Sequence, residues 1–349
     1  SHNEWLIVVP SIAEGGALAP GARILNPFPM VNMAGFSTGF ATWLALGGTL
    51  VQHHPFDLAV FLAQLRDETI DYTVAAPAIL NRLLQERDLV RGIDFRRLSR
   101  IGSGSAPLSP WMVAGFHDAF GVEIVNYFGS NEGAALTGSP EEIPDRAVRA
   151  QFFPRAGVAG FDWRISTAKK IRTRLVDPAT EAEITDPGVA GELRFAGPTI
   201  FSGYFRAPEL TRRAFDARGY YRSGDTFQIA GDRGQYYRFV GRTKDIVNRG
   251  GMKISAEEIE TLLMEHPAVQ EAAVVGLPDA KFGERVCACV VARAGATLDP
   301  AALTAFLRDA KRLATFKLPE RVELLDALPR NAVGKIVKRA LRERFGPPG

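Results

Sequence analysis

DYTVAAP (71–77), followed at once by AILNRLLQERD (78–88), decides the fold. The first run is apolar enough to be a buried strand, and the second has the spacing of an amphipathic helix. The same pairing recurs on both sides. TLVQHHP (49–55) reads as a strand and FDLAVFLAQLRDE (56–68) as a helix. Downstream come LSRIGSGSAP (98–107) as strand and loop, WMVAGFHDAFG (111–121) as helix, and VEIVNYFG (122–129) as strand. Strands alternating with helices predict a layered α/β domain.

From Gly157 to Arg242 the texture changes. IRTRLVD (171–177), GELRFAG (191–197) and QYYRFVG (235–241) are short strand-like runs separated by Gly, Pro and Asp. They predict a mainly antiparallel, barrel-like β module. A compact α+β unit is expected next. It has a capping box at Ser255-Ala256-Glu257-Glu258 with Ile259, Leu262 and Leu263 as the apolar face behind it. QEAAVVGL (270–277), ERVCACVVA (284–292) and ERVELL (320–325) are its strands; Asp299-Pro300 opens a helix, and IVKRALRERF (336–345) is the last one. The expected domains are 1–156 (α/β), 157–243 (β-rich) and 244–349 (α+β, on a hinge).

Composition limits the function classes. The 349 residues carry a formal charge of +3 with no basic block, which gives no ground for nucleic acid or an anionic membrane as partner. No apolar run approaches the ~20 residues that span a bilayer. Cys287 and Cys289 fall at i and i+2 of one strand, where a mutual disulfide would be strained; they read as buried small residues in a reducing cytoplasm. His53-His54 has no third ligand and reads as a strand end.

Several short segments can carry chemistry. Gly224 lets the backbone of YRSGD (221–225) turn, presenting Asp225 at a loop edge where a carboxylate can accept from vicinal ribose hydroxyls. NYFGSNE (126–132) offers an aromatic ring, a glycine, small polar side chains and a carboxylate, a set suited to a flat base and a phosphate-bound cation. GSGSAP (102–107) is a small-residue loop against which a planar ring can lie. The double glycine Gly250-Gly251 marks a sharp bend or a close approach. Lys335 follows Gly334 in a loop before the last helix. Taken singly, each segment has a plain structural reading as a turn, a linker or a solvated lysine.

Taken in order and spacing, the set resembles the adenylate-forming family of acyl-CoA synthetases, luciferases and peptide-synthetase adenylation domains. The likeness runs from Ile24 to the end and rests on GSGSAP, NYFGSNE, GEL (191–193) with Gly203-Tyr204, YRSGD, GRTKDIVNRGGMKISAEEIE (241–260) and PRNAVGK (329–335). The resemblance implies the following roles. Gly104, Ser105 and Ala106 line one face of adenine and Phe128 the other, and Asn126 reads the adenine edge. Tyr127, Gly129 and Ser130 complete that segment. Glu132 holds Mg2+ at the ATP phosphates beside Asn131, and Asp225 and Arg242 grip the ribose. Lys335 is the catalytic lysine, reaching both the carboxylate and the α-phosphate. Lys244 is a hinge about which the C-terminal domain swings to bring the Gly250-Gly251 loop to the site for CoA. The acyl pocket is expected near Met33 to Gly39, Gly102 and Ser130.

Three departures matter. Phe128 and Asn131 stand where the family has Tyr and Thr. Pro29-Met30-Val31-Asn32 replaces Pro-x-x-His. The Gly/Ser/Thr-rich phosphate loop is absent, and Ser1-His2-Asn3 resembles the residues just after it. The expectation is thus a cytoplasmic, truncated acyl-CoA synthetase that uses ATP, Mg2+ and CoA on a small carboxylic acid, fatty, aryl or alicyclic. A stand-alone adenylation enzyme loading a carrier protein and a non-catalytic nucleotide-binding fragment are the alternatives. The oligomeric state is left open.

Overall fold

Six strands form the first sheet: β1 (Arg23–Asn26), β2 (Thr49–Gln52), β3 (Tyr72–Val74), β4 (Arg100–Gly104), β5 (Glu123–Gly129) and β6 (Ala135–Gly138). Their order is β2-β1-β3-β4-β5-β6; the first five run parallel and β6 is antiparallel to β5. Helices cover both faces, as a parallel sheet requires. On one face Phe61, Leu80, Leu83, Met112 and Phe116 pack over Leu25, Ile101 and Ile124. On the other, Val8 and Ile12 of the helix His2–Gly16 pack over Ile24, Tyr72 and Val74. The computed structural model describes residues 2–98, 100–330 and 336–346.

Local chemistry explains the helix ends. Asp57 accepts from the Val60 N–H at 2.9 Å and starts the helix Leu58–Asp67. Ser109 accepts from Met112 N–H, Pro110 occupies the first turn, and left-handed Gly121 closes the helix Pro110–Phe120.

The second sheet comprises β7 (Phe152–Pro154), β8 (Arg172–Val176), β9 (Ala190–Ala196), β10 (Tyr221–Ala230) and β11 (Tyr236–Arg242), in the order β7-β11-β10-β9-β8. Neighbouring strands are antiparallel at the registered pairs. Its core is aromatic, with Phe153, Phe195, Phe227 and Tyr237 buried.

The chain divides into Ser1–Phe239 and Val240–Gly349. The second unit contains β12 (Ile246–Arg249), β13 (Met252–Ser255), β14 (Val269–Asp279), β15 (Gly283–Ala292) and β16 (Arg321–Leu324). Strand β15 alternates strictly. Val286, Ala288 and Val290 face the helix Ala256–Leu263, whereas Cys287, Cys289 and Val291 share a cluster with Leu341 of the helix Lys338–Phe345. Both cysteines are free and buried. The Ser255 cap accepts from Glu258 N–H, but the Glu258 carboxylate binds Lys317, so half of the capping box forms.

One detail differs from the sequence reading. YRSGD is not at a loop edge: Asp225 lies inside β10, because the chain bulges at Gly224 (φ +69°) and continues as strand. Gly250-Gly251 is the expected sharp bend, a two-residue hairpin turn between β12 and β13 with positive φ at both positions. Within residues 1–156 the helix His2–Gly16 precedes Ile24.

Candidate active site

The carboxyl ends of β4 and β5 lie side by side, with Gly104 in register with Tyr127. This is the edge where open parallel sheets bind ligands. Gly104 is fixed by packing: a Cβ there would stand 2.2 Å from the Tyr127 carbonyl oxygen. Beyond it the chain turns through Ser105, whose φ is +70°, and exposes Ser105 and Ala106 at the strand ends.

Along β5 the side chains alternate. Tyr127 turns to the face where Tyr72 lies, and its phenol receives a hydrogen bond from Tyr72 Oη at 3.1 Å. Burial raises the Tyr127 phenol to about 12. Asn126 and Phe128 turn to the opposite face. Asn126 is buried, and its Nδ2 donates to the carbonyls of Arg149 (3.0 Å) and Ala150 (3.2 Å). Both amide hydrogens are therefore occupied, and what Asn126 can offer a ligand is its acceptor oxygen. Phe128 is half-buried, stacked at 15° on Phe195 and perpendicular to Phe227 at 5.1 Å.

Past Gly129 the segment forms a turn in which the Ser130 N–H bonds the Ala134 carbonyl at 2.9 Å. Asn131 Oδ1 accepts from the Met33 N–H at 2.9 Å, tying this turn to the Pro29–Met33 segment. Within that segment Asn32, standing where the family has His, accepts from Gly35 N–H at 2.8 Å and braces the start of the helix Ala34–Ala41.

Glu132 forms no ion pair among the described residues. Its Oε1 accepts from Tyr204 Oη at 2.9 Å. The buried Tyr221 also faces this carboxylate: burial and the nearby Glu132 charge push its phenol well above the ordinary tyrosine range. Neutral donors leave the carboxylate's charge uncompensated, which fits a cation carried on phosphate oxygens. Sequence reasoning gave neither tyrosine a role, although both sit in quoted motifs, at Gly203-Tyr204 and at the head of YRSGD.

Asp225 is buried. It lies in the bulge two residues before Phe227, which packs on Phe128. The first unit thus sets Ser105–Ala106, Phe128 and Glu132 at or just beyond the ends of β4 and β5, and Asp225 two residues before a ring that packs on Phe128. The remaining expected residues belong to the second unit. Arg242 donates its N–H to Glu257 Oε1 at 3.4 Å, and the Lys244 carbonyl accepts from Arg342 Nη2 at 3.3 Å. Gly250 donates to the Phe282 carbonyl at 2.7 Å. Lys335 lies outside the described residues.

Residues 1–205 match the AMP-binding enzyme family, and residues 258–335 match the AMP-binding enzyme C-terminal domain. The chain belongs to that family, within the adenylate-forming superfamily. Pyochelin synthase PchD of Pseudomonas aeruginosa (strain UCBPP-PA14) is 34% identical over 347 residues, covering 99% of this chain and 60% of the relative. A 2-hydroxy-7-methoxy-5-methyl-1-naphthoate–CoA ligase of Streptomyces carzinostaticus is 35% identical over 350 residues, covering 99% and 59%. The crystal structure of ATP-bound MatB from Rhodopseudomonas palustris superposes with a TM-score of 0.77 at 28% identity, covering 99% of this chain and 64% of that one. The chain therefore spans about 60% of the length of the curated relatives it matches. No described helix is long and apolar enough to cross a membrane.

Proposed function

We propose that this chain carries the nucleotide site and the C-terminal domain of an enzyme that activates a carboxylic acid with ATP as acyl-AMP and passes the acyl group to CoA. The reading is supported by an exposed small-residue turn, an aromatic ring and a carboxylate without an ion pair among the described residues at the ends of β4 and β5, with a buried aspartate two residues before Phe227, which packs on that ring. A nucleotide needs a surface for its base, a polar anchor for its ribose and a partner for its phosphate-bound metal, and these residue types supply each.

Ser105 and Ala106 face the base on one side and Phe128 on the other. Asn126 accepts from the adenine amino group through its oxygen. Asp225 accepts from the ribose hydroxyls, with Arg242 as its partner on the ribose. Glu132 holds Mg2+, which when bound withdraws charge from the departing pyrophosphate. The attacking carboxylate and the α-phosphate are both anionic, and Lys335 is the cation assigned to lie between them. Lys244 serves as the hinge that exchanges the Lys335 loop for the Gly250-Gly251 turn, so that one site serves adenylation and then thioester formation.

Similarity to a naphthoate–CoA ligase supports CoA as the acceptor. Similarity to pyochelin synthase PchD favours a second reading, in which the acyl group passes to a carrier protein. ATP–pyrophosphate exchange by the full-length protein across fatty, aryl and alicyclic acids tests the first step, and absence of exchange with every acid overturns it. Thioester formed with CoA supports the first acceptor; thioester formed only on a phosphopantetheinyl protein supports the second.

A further inference from the structure

The GEL run has no role in the chemistry above, yet it lies directly opposite the Asp225 bulge. Arg222 of β10 is in register with Arg194 of β9, and Thr226 is in register with Glu192. Ser223, Gly224 and Asp225 therefore stand opposite Leu193 alone. So large a bulge takes the backbone amides of Ser223 to Asp225 out of the ladder, and two of them find other acceptors.

One acceptor comes from β9 and one from within the bulge. Glu192 Oε1 accepts from Gly224 N–H at 3.0 Å. Ser223 Oγ donates to the Leu193 carbonyl and accepts from Asp225 N–H at 3.1 Å. The other Glu192 oxygen binds Arg194 Nε at 2.8 Å. Arg194 is fully buried and also pairs with Glu181 (2.6 Å) and Asp216 (3.1 Å). With those two partners Arg194 keeps its counter-charges without Glu192, so the aim of Oε1 at Gly224 is not explained by the ion pairs.

The geometry points to Glu192 as a positioning residue for Asp225: its buried carboxylate fixes the Gly224 amide in the β10 bulge and thereby aims the Asp225 carboxylate at the ribose hydroxyls. The inference rests on the ribose reading of Asp225. Glu192 touches no substrate; it acts through two peptide units, and the conformation it holds is one that Gly224 adopts without strain.

The test is binding of AMP against 2′-deoxy-AMP and 3′-deoxy-AMP by calorimetry, on the full-length protein, with thermal midpoints recorded for every variant. Asp225→Asn should abolish the preference for the hydroxylated nucleotide. Glu192→Ala should reduce that preference about tenfold, equivalent to about 1.4 kcal/mol. Glu192→Gln keeps an acceptor for Gly224 N–H and should retain most of it. Ser223→Ala leaves the ion pairs intact and should also lose preference, and it carries the test if Glu192→Ala does not fold.

An intact preference in Glu192→Ala and Ser223→Ala, together with its loss in Asp225→Asn, overturns the inference and leaves the ribose reading standing. An intact preference in Asp225→Asn, or none in the unaltered protein, overturns both. Equal loss in the Ala and Gln variants of Glu192 excludes the hydrogen bond to Gly224 as the cause.

Discussion

The phenol of Tyr204 donates a 2.9 Å hydrogen bond to Glu132 Oε1, joining segments 72 residues apart in the chain. It orients the carboxylate proposed to hold Mg2+. Tyr204→Phe removes this donor with little change in shape. A hydrogen bond to a charged group contributes roughly 1.5–3 kcal/mol, so the Mg2+ concentration for half-maximal pyrophosphate exchange should rise about ten- to a hundredfold. Affinity for the acid should stay unchanged. Glu132→Gln should be far more damaging, and a magnesium requirement unaltered in both variants would refute the metal role of Glu132.

Lys335 and the Gly250-Gly251 turn are proposed to serve different half-reactions. Lys335→Ala in the full-length enzyme should cost about 10²-fold or more in acyl-AMP formation. It should largely spare thioester formation from pre-made acyl-AMP. Gly251→Leu should do the reverse, since a leucine is strained at φ +83° and fills the turn. Equal damage to both steps by either variant would contradict the division of labour.

Glu257 gives the second unit a pH dependence. Burial raises its carboxyl to about 7 against the pull of Lys338, while Glu260 and Asp245 push it the same way as burial. Among the described residues its Oε2 has no hydrogen-bond partner. The unfolded carboxyl has its ordinary value of 4.5. Between these values the folded state holds the extra proton, so the stability Glu257 contributes is complete below the unfolded value and is lost as pH rises through about 7. Glu257→Gln should therefore stabilise the unit by about 2–3 kcal/mol at pH ~8 and change little at pH ~4.5. Hydrogen exchange in the helix Ala256–Leu263 at the two pH values measures this; slower exchange at the lower pH alone would contradict the sign.

Gly104→Ala should separate the two strand ends that frame the site. The added Cβ falls 2.2 Å from a backbone oxygen of β5, so the strands must part. Overpacking of this kind costs about 1–3 kcal/mol. A lowered urea midpoint with weakened AMP binding is the expected pair of results, and unchanged values for both would show that the loop yields freely.

Local signals were legible in the sequence, and long-range closures were not. The parallel sheet followed from apolar runs alternating with helical ones. The caps at Ser255 and Asp299 each satisfy amides within three residues of themselves. IVNR and MKIS are short and half polar and carry no strand signal of their own; they become β12 and β13 by pairing with each other and, for β12, with β15. A glycine that lets the chain turn sets Asp225 at a loop edge in the sequence; the carboxylate that accepts from the Gly224 N–H, that of Glu192, lies 32 residues away. The tyrosines on Glu132 carry no local mark of their function. They come together only when β10 and the Gly203-Tyr204 segment close on the end of β5.

Cys287 and Cys289 are the only two thiols in the 349 residues, and both sulfurs are sealed beneath Leu341 on one face of β15. A thiol reagent cannot reach them while that face is covered. The protein thus carries a native probe confined to one of its units: the rate of labelling reports how often the last helix lifts from the strand. Nucleotides that slow or speed that labelling would reveal, without any added dye or mutation, whether occupancy of the first unit is felt by the second.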